Sequence, residues 1–164
     1  YDYFTNDHRR IEAFLDKATE VSGKIDMGYY HHFRTGLLRH IKMEEKILFP
    51  AAQRANQNIP VPLAAKLRLD HGALTALMTV PPDDEVIKVL RHVLDKHDLL
   101  EEEPGGMYDI CEKLTETQTE EILKHLDAVT EVPVHPPSTF SFVLDAAKRS
   151  LARAGFDYDA ILSM

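Results

Sequence analysis

Apolar residues recur every three or four positions along four stretches of this chain, and each recurrence is the mark of a helix with one inward face. The first stretch runs from about Thr5 to Ser22, with an inward stripe of His8, Ile11, Leu15 and Ala18, and Val21 at the edge. Thr5 or Asn6 is the expected N-cap and Gly23 the stop. The second runs from about Met27 to Ala55, with Phe33, Leu37, His40, Glu44, Ile47 and Leu48 inward. Pro50 is expected to kink it or to end its regular part. A turn at 56–60 leads to the third, about Val61 to Thr79, with stripe Leu63, Leu67, His71, Leu74 and Met78. Pro81 and Pro82 stop it, and Asp83 or Asp84 caps the fourth, about Asp84 to Glu103, with stripe Val86, Leu90, Leu94, His97 and Glu101. Pro104, Gly105 and Gly106 interrupt the pattern, and Met107 to Leu114 resumes it.

Short connections make neighbouring helices antiparallel, so the expected fold is all-α, an up-down-up-down antiparallel four-helix bundle with extra C-terminal helices. Levels along the bundle follow from a rise of roughly 1.5 Å per residue. From His8 to the top of the first helix is roughly 20 Å, and from the start of the second down to His40 is again roughly 20 Å. His71 and His97 agree within roughly two turns, a gap the loops absorb. Beyond Thr115 the pattern changes to a short helix over Thr117–Ala128, a Pro-rich extended segment over Glu131–Ser138, and an amphipathic helix over Phe140–Ala154 that ends at Gly155. The expected division is therefore a bundle over 1–115 and a C-terminal extension over 116–164, packed on the bundle or on a second subunit as a homodimer.

The polar residues within these stripes carry the chemistry. His40 and Glu44 are four residues apart, as are His97 and Glu101, in the strings HIKMEE and HDLLEE. Four residues is just over one helical turn, so each pair projects from one face. One such pair is a common surface feature. Two pairs on alternate helices, with single histidines His8 and His71 on the others, place six polar groups at core positions of one level. Burying them is costly unless something compensates, and a divalent metal fits these donors. Imidazole and carboxylate without thiolate suit iron, manganese or zinc. Two nitrogens per ion with two shared carboxylates leave open positions, which fits a redox-active iron pair better than closed, tetrahedral structural zinc.

Composition removes other readings. The chain has 164 residues, enough for one domain with a real core. Its net charge is −8, with no basic run, which argues against nucleic acid and anionic membranes as partners. No apolar stretch approaches a membrane span. No targeting segment is visible from Tyr1 onward, and Cys111 is the single cysteine, so no disulfide framework or thiolate cluster exists and a cytoplasmic, reducing compartment is expected. Of the nine histidines, His31, His32, His125 and His135 lie outside the pattern and His92 lies off the inward face.

Four strings together resemble the hemerythrin-like (HHE cation-binding) domain family: DHRR at Asp7–Arg10, LLRHIKMEEKILFP at Leu37–Pro50, LDHGAL at Leu69–Leu74 and HDLLEEEPGGMY at His97–Tyr108. The resemblance covers about Tyr3 to Leu114. It implies a four-helix bundle around a non-heme, oxo- or hydroxo-bridged di-iron centre. His8 and His40 would bind one iron, His71 and His97 the other, and Glu44 and Glu101 would bridge them. Manganese or zinc are the alternative ions. The chain departs from the oxygen-carrying members, which have a further histidine one turn after the third-helix histidine; Thr75 stands there. The carriers also bridge through an aspartate five residues after the fourth-helix histidine, where this chain offers Glu101 at four or Glu102 at five. Fewer nitrogen ligands shift the expectation from reversible oxygen carriage to binding of O2, NO or peroxide for sensing or detoxification. The alternatives are iron storage or delivery and a peroxidase or NO reductase.

Around the six, Asp7 and Asp70 each precede a candidate histidine and either orient a ligand or serve as caps. Glu45 and Glu102 face solvent or a histidine of a neighbouring helix. Tyr30, Tyr108 and Met43 are read as packing residues, with proximity to the centre as the alternative, and Cys111 as a buried apolar residue.

Overall fold

Helices α1 (Asp2–Ala18), α2 (Met27–Met43), α3 (Phe49–Ala55), α4 (Leu63–Thr79), α5 (Asp84–Glu102), α6 (Met107–Leu114), α7 (Thr119–Asp127), α8 (Phe142–Arg153) and α9 (Tyr158–Leu162) make up a chain without strands. The computed structural model describes residues 1–164. Two acidic caps set the starts of the long middle helices. The Asp26 carboxylate accepts from the backbone N–H groups of Gly28 and Tyr29, and that of Asp83 accepts from Val86 at 2.8 Å.

The first helix begins earlier than its caps suggest. Thr5 lies inside it, with its hydroxyl donated to the Asp2 carbonyl. It also ends at Ala18 rather than at Gly23, which sits in the following loop with φ +74°. The regular α-helix of the second segment ends at Met43, ahead of Pro50, although the chain stays helical to Ala55. Between α2 and α3 the helix widens into a π turn over Glu44–Leu48 and then continues to Ala55. Proline lacks a donor and crowds the carbonyl one turn back, and a wider turn relieves that crowding. The segment Tyr158–Leu162, absent from the sequence reading, forms α9, with Asp157 capping it at Ala160. It is too short for periodicity to reveal.

The apolar residues form two separate cores. One holds Ile11, Leu15, Phe33, Leu37, Leu74, Leu77, Leu90 and Leu94, together with Leu151 of α8 and Ile161 of α9. The other holds Phe4, Met43, Leu48, Phe49, Leu67, Met107 and Tyr108, with Leu126 of α7. The C-terminal extension is shared between the cores: α7 joins the second, while α8 packs against α4 and α9 against α5 in the first. Leu151 is fully buried there, a gain of roughly 1.5–3 kcal/mol for a leucine side chain. No helix is long and apolar enough to cross a membrane.

Candidate metal centre

Between the two cores lies a polar layer. His8, His40, Glu44, His71, His97 and Glu101 are all buried, and the fold brings all six together. Glu101 Oε1 stands 3.3 Å from His8 Nε2 and 3.2 Å from His97 Nε2. Glu44 Oε1 stands 3.5 Å from His40 Nε2 and 3.2 Å from His71 Nε2. Each glutamate thus spans two helices. The His8 and His40 rings are 4.5 Å apart, and those of His71 and His97 are 4.9 Å apart.

The outer nitrogens follow a second rule. His40 Nδ1 meets Asp7 at 2.8 Å, and His97 Nδ1 meets Asp70 at 3.0 Å. His8 Nδ1 meets Glu102 at 2.9 Å, and His71 Nδ1 stands 3.4 Å from Glu45. Each histidine of α2 and α5 is therefore faced by the aspartate that precedes the histidine of α1 or α4. Those histidines in turn are faced by the second glutamate of an HxxxEE string. The π turn contributes here, because Glu44 and Glu45, adjacent in the chain, both address His71. A carboxylate at Nδ1 holds the imidazole hydrogen there and turns the Nε2 lone pair inward, the arrangement found around metal-bound histidines.

Electrostatics mark the layer as poised for a cation. Burial pulls the His8 imidazole down, but the Glu101 hydrogen bond and the charges of Asp98, Glu101 and Glu44 push it up to about 10. Burial likewise opposes His71, and Glu44 and Glu45 push it up to about 9. His97 is raised well above 6.5 against the same burial by Glu101 and Asp70. The two glutamates diverge. Burial and the Glu101 charge raise Glu44, whereas His97 and hydrogen bonds from Glu44 and His8 hold Glu101 well below the usual range despite its burial. The carboxylates of the layer thus favour positive charge on the His8, His71 and His97 imidazoles.

The donors fit a metal. Glu44 Oε1, Glu101 Oε2 and both ring nitrogens of His71 are buried and have no hydrogen-bond partner. Each such atom costs about 1–3 kcal/mol, a debt that coordination removes. Glu44, His71, His97 and Glu101 offer one ligand atom each, all within 4.8 Å of one another, and so do His8, His40 and Glu101. His8, Asp98 and Glu102 form a third such group.

Two residues near the centre escaped the sequence reading of ligands. Asp98 Oδ1 lies 3.4 Å from His8 Nε2, and burial pushes its carboxyl up to about 8. Its place three residues before Glu101 on α5 put it near the inward face, a usable signal. The Tyr108 hydroxyl sits in the middle of the layer, 3.0–3.2 Å from His8, His40, Glu44 and Glu101. Tyr30 lies instead in the first core, away from the polar layer, and Met43 packs in the second. Thr75 is exposed beside Arg34 and the 133–138 segment, while Leu74 takes the inward position, so a histidine at 75 would not reach the centre. His92 meets Phe156 edge-on, and Cys111 is buried with its thiol pushed up to about 12 by desolvation.

An all-helical chain with a buried histidine–glutamate layer between two cores is a cation-binding helical protein. The model of the hemerythrin HHE cation-binding domain matches residues 1–127, and the chain belongs to that family. The match continues past Leu114 through α7, whose Leu126 completes the second core. Neither the curated proteins nor the solved structures yield a match.

Proposed function

We propose that residues 1–115 form an up-down-up-down bundle holding two iron ions, and that this centre binds a small diatomic or peroxide (O2, NO or H2O2) for sensing or detoxification. His8 and His40 hold one ion, His71 and His97 the other, and Glu44 and Glu101 bridge them. The observation that carries this reading is the oriented set of four histidines: His8, His40 and His97 have a carboxylate within 3.0 Å of Nδ1, Glu45 stands 3.4 Å from that of His71, and every Nε2 turns toward a shared glutamate oxygen.

The antiparallel order is supported by the two cores. In α1 the chain passes from Phe4 of the second core through His8 to Ile11 of the first. In α2 it passes from Leu37 of the first core through His40 to Met43 of the second. The direction reverses again from Leu67 to Leu74 in α4 and from Leu94 to Met107 beyond α5.

An iron pair in such a cage supplies, when bound, redox activity and open positions for a small ligand. The protein's part is to hold each Nε2 as a free base, to keep two carboxylates between the ions, and to exclude bulk water. Phe49 lies parallel to the His71 ring at 6.2 Å, and Phe4 meets His40 edge-on at 5.4 Å, so apolar rings close the second-core side.

One feature favours sensing over turnover. Asp70, which faces His97, also binds Lys66 Nζ, and Lys66 reaches the Ala154 carbonyl at 2.6 Å and lies 4.5 Å from the Phe156 ring. A change at His97 has a direct line to the C-terminal extension. Titration of the iron-loaded chain with peroxide, with and without a reductant, tests the choice. Sensing predicts a single spectral change with altered hydrogen exchange in Ala147–Ala154. Sustained peroxide consumption with no change in that segment supports the peroxidase reading instead.

A further inference from the structure

Tyr108 is outside the six-residue set, yet its oxygen occupies the middle of the layer. The hydroxyl lies 3.0 Å from His8 Nε2, 3.2 Å from His40 Nε2, 3.0 Å from Glu44 Oε2 and 3.1 Å from Glu101 Oε1. A phenol has one hydrogen to donate. The Nδ1 hydrogens of His8 and His40 are directed to Glu102 and Asp7, so both Nε2 atoms present lone pairs when the rings are neutral. With the rings neutral, as metal binding requires, one hydrogen cannot satisfy two nitrogen lone pairs and two carboxylate oxygens, whereas a cation among them can.

The two halves of the cage are also unequal. The His71 and His97 side has two histidines and both glutamates within mutual ligand distance, while the His8 and His40 side has two histidines and Glu101 alone. The Tyr108 oxygen falls on the side that lacks a donor. Its placement is built in. The ring stacks on Phe4 with centroids 5.2 Å apart, and the residue also lines a cavity of about 450 Å³ beside α1, α6 and α7. The close turn at Gly105 and Gly106 returns α6 onto the end of α5, which brings the ring there.

We infer that the Tyr108 oxygen is a metal ligand, a further donor on the His8 and His40 side beside those two histidines and the shared glutamates, and that it takes iron(III) as a phenolate. This rests on the reading that His8 and His40 hold an ion. Ligation exchanges the O–H bond for an O–Fe bond and releases one proton to solvent; no electron moves. The phenolate adds one negative charge to a site otherwise served by neutral imidazoles and shared carboxylates, so it favours the ferric state.

Resonance Raman and visible absorption of the full chain, loaded with iron and oxidised in air, test the assignment. The expected result is a phenolate-to-iron charge-transfer band whose excitation enhances tyrosinate ring vibrations, both lost in Tyr108→Phe. The phenylalanine ring keeps the stack on Phe4, and circular dichroism of the variant confirms its fold. The parent spectrum alone decides if the variant does not fold. Bound iron without tyrosinate vibrations, or a Tyr108→Phe spectrum identical to the parent's, overturns the ligation and leaves the metal reading in place. A parent chain that takes up no iron overturns both.

Discussion

Asp70 Oδ2 lies 3.0 Å from His97 Nδ1, while its other oxygen lies 2.5 Å from Lys66 Nζ. The aspartate is fully buried, and its contact fixes both the tautomer and the ring orientation of a candidate ligand. Asp7 does the same for His40 at 2.8 Å. Asp7→Asn and Asp70→Asn keep the shape and remove the charge. Each is expected to weaken iron binding about 10- to 100-fold, the usual loss for an outer partner of a ligating histidine. Competition against a chelator measures it, and parent-like affinity in both variants would remove the orienting role.

Glu101 Oε1 stands between His8 and His97, on opposite sides of the cage. In the proposed centre a carboxylate shared in this way would serve both ions. Glu101→Ala is therefore expected to lose both irons, and Glu44→Ala likewise, with the helical content kept in each. Metal analysis after gel filtration decides: one iron held at full occupancy in either variant contradicts bridging.

The protonated histidines give the metal-free chain a definite pH response. His8 is raised to about 10 and His71 to about 9, both from 6.5, so the folded chain holds these protons more tightly than the unfolded one. That contribution is whole below pH 6.5 and declines as the pH rises through about 9 and 10. Asp98, raised from 3.8 to about 8, acts with the same sign and is already declining below that value. Iron requires the free bases, so its affinity rises over the same interval. The thermal midpoint of the metal-free protein is expected to fall from pH 6.5 upward while the stabilisation conferred by metal grows. A flat metal-free midpoint would show that protons do not hold the empty cage.

Gly106 closes the turn that returns Tyr108 to the centre. A Cβ there would lie 2.6 Å from the Leu100 carbonyl oxygen and 2.8 Å from that of Glu103, both backbone atoms that cannot swing aside. Gly106→Ala is expected to destabilise the fold by about 1–3 kcal/mol, as overpacking does, and to displace Tyr108. Denaturant unfolding gives the first effect, and the visible spectrum of the iron-loaded variant gives the second. Parent-like values in both would mean that the turn relaxes freely.

Helix periodicity made most of the core legible. Every inward residue named for α5, from Val86 to Glu101, is buried, and so are His8, Ile11, Leu15 and Ala18 of α1. The six candidate ligands were legible because polar residues interrupted apolar stripes at helical spacing. The rest depends on contacts that no spacing encodes. Tyr108 reaches the layer only because a glycine turn folds α6 back, and Thr75 turns outward because Leu74 already fills the core position. The π turn at Glu44–Leu48 is a local answer to Pro50: the expected end of the regular helix takes the form of a wider turn, which spacing does not encode. Asp7, Asp70, Glu45 and Glu102 carried two readings each until the helices were set side by side.

The central claim is that the polar layer is a two-iron site. Iron content and the visible spectrum of the protein purified from iron-rich medium test it most directly. About two irons per chain, with charge-transfer bands of an oxo-bridged pair, is the predicted result for a doubly bridged bundle site. No iron, or a single zinc with no visible absorption, would contradict it.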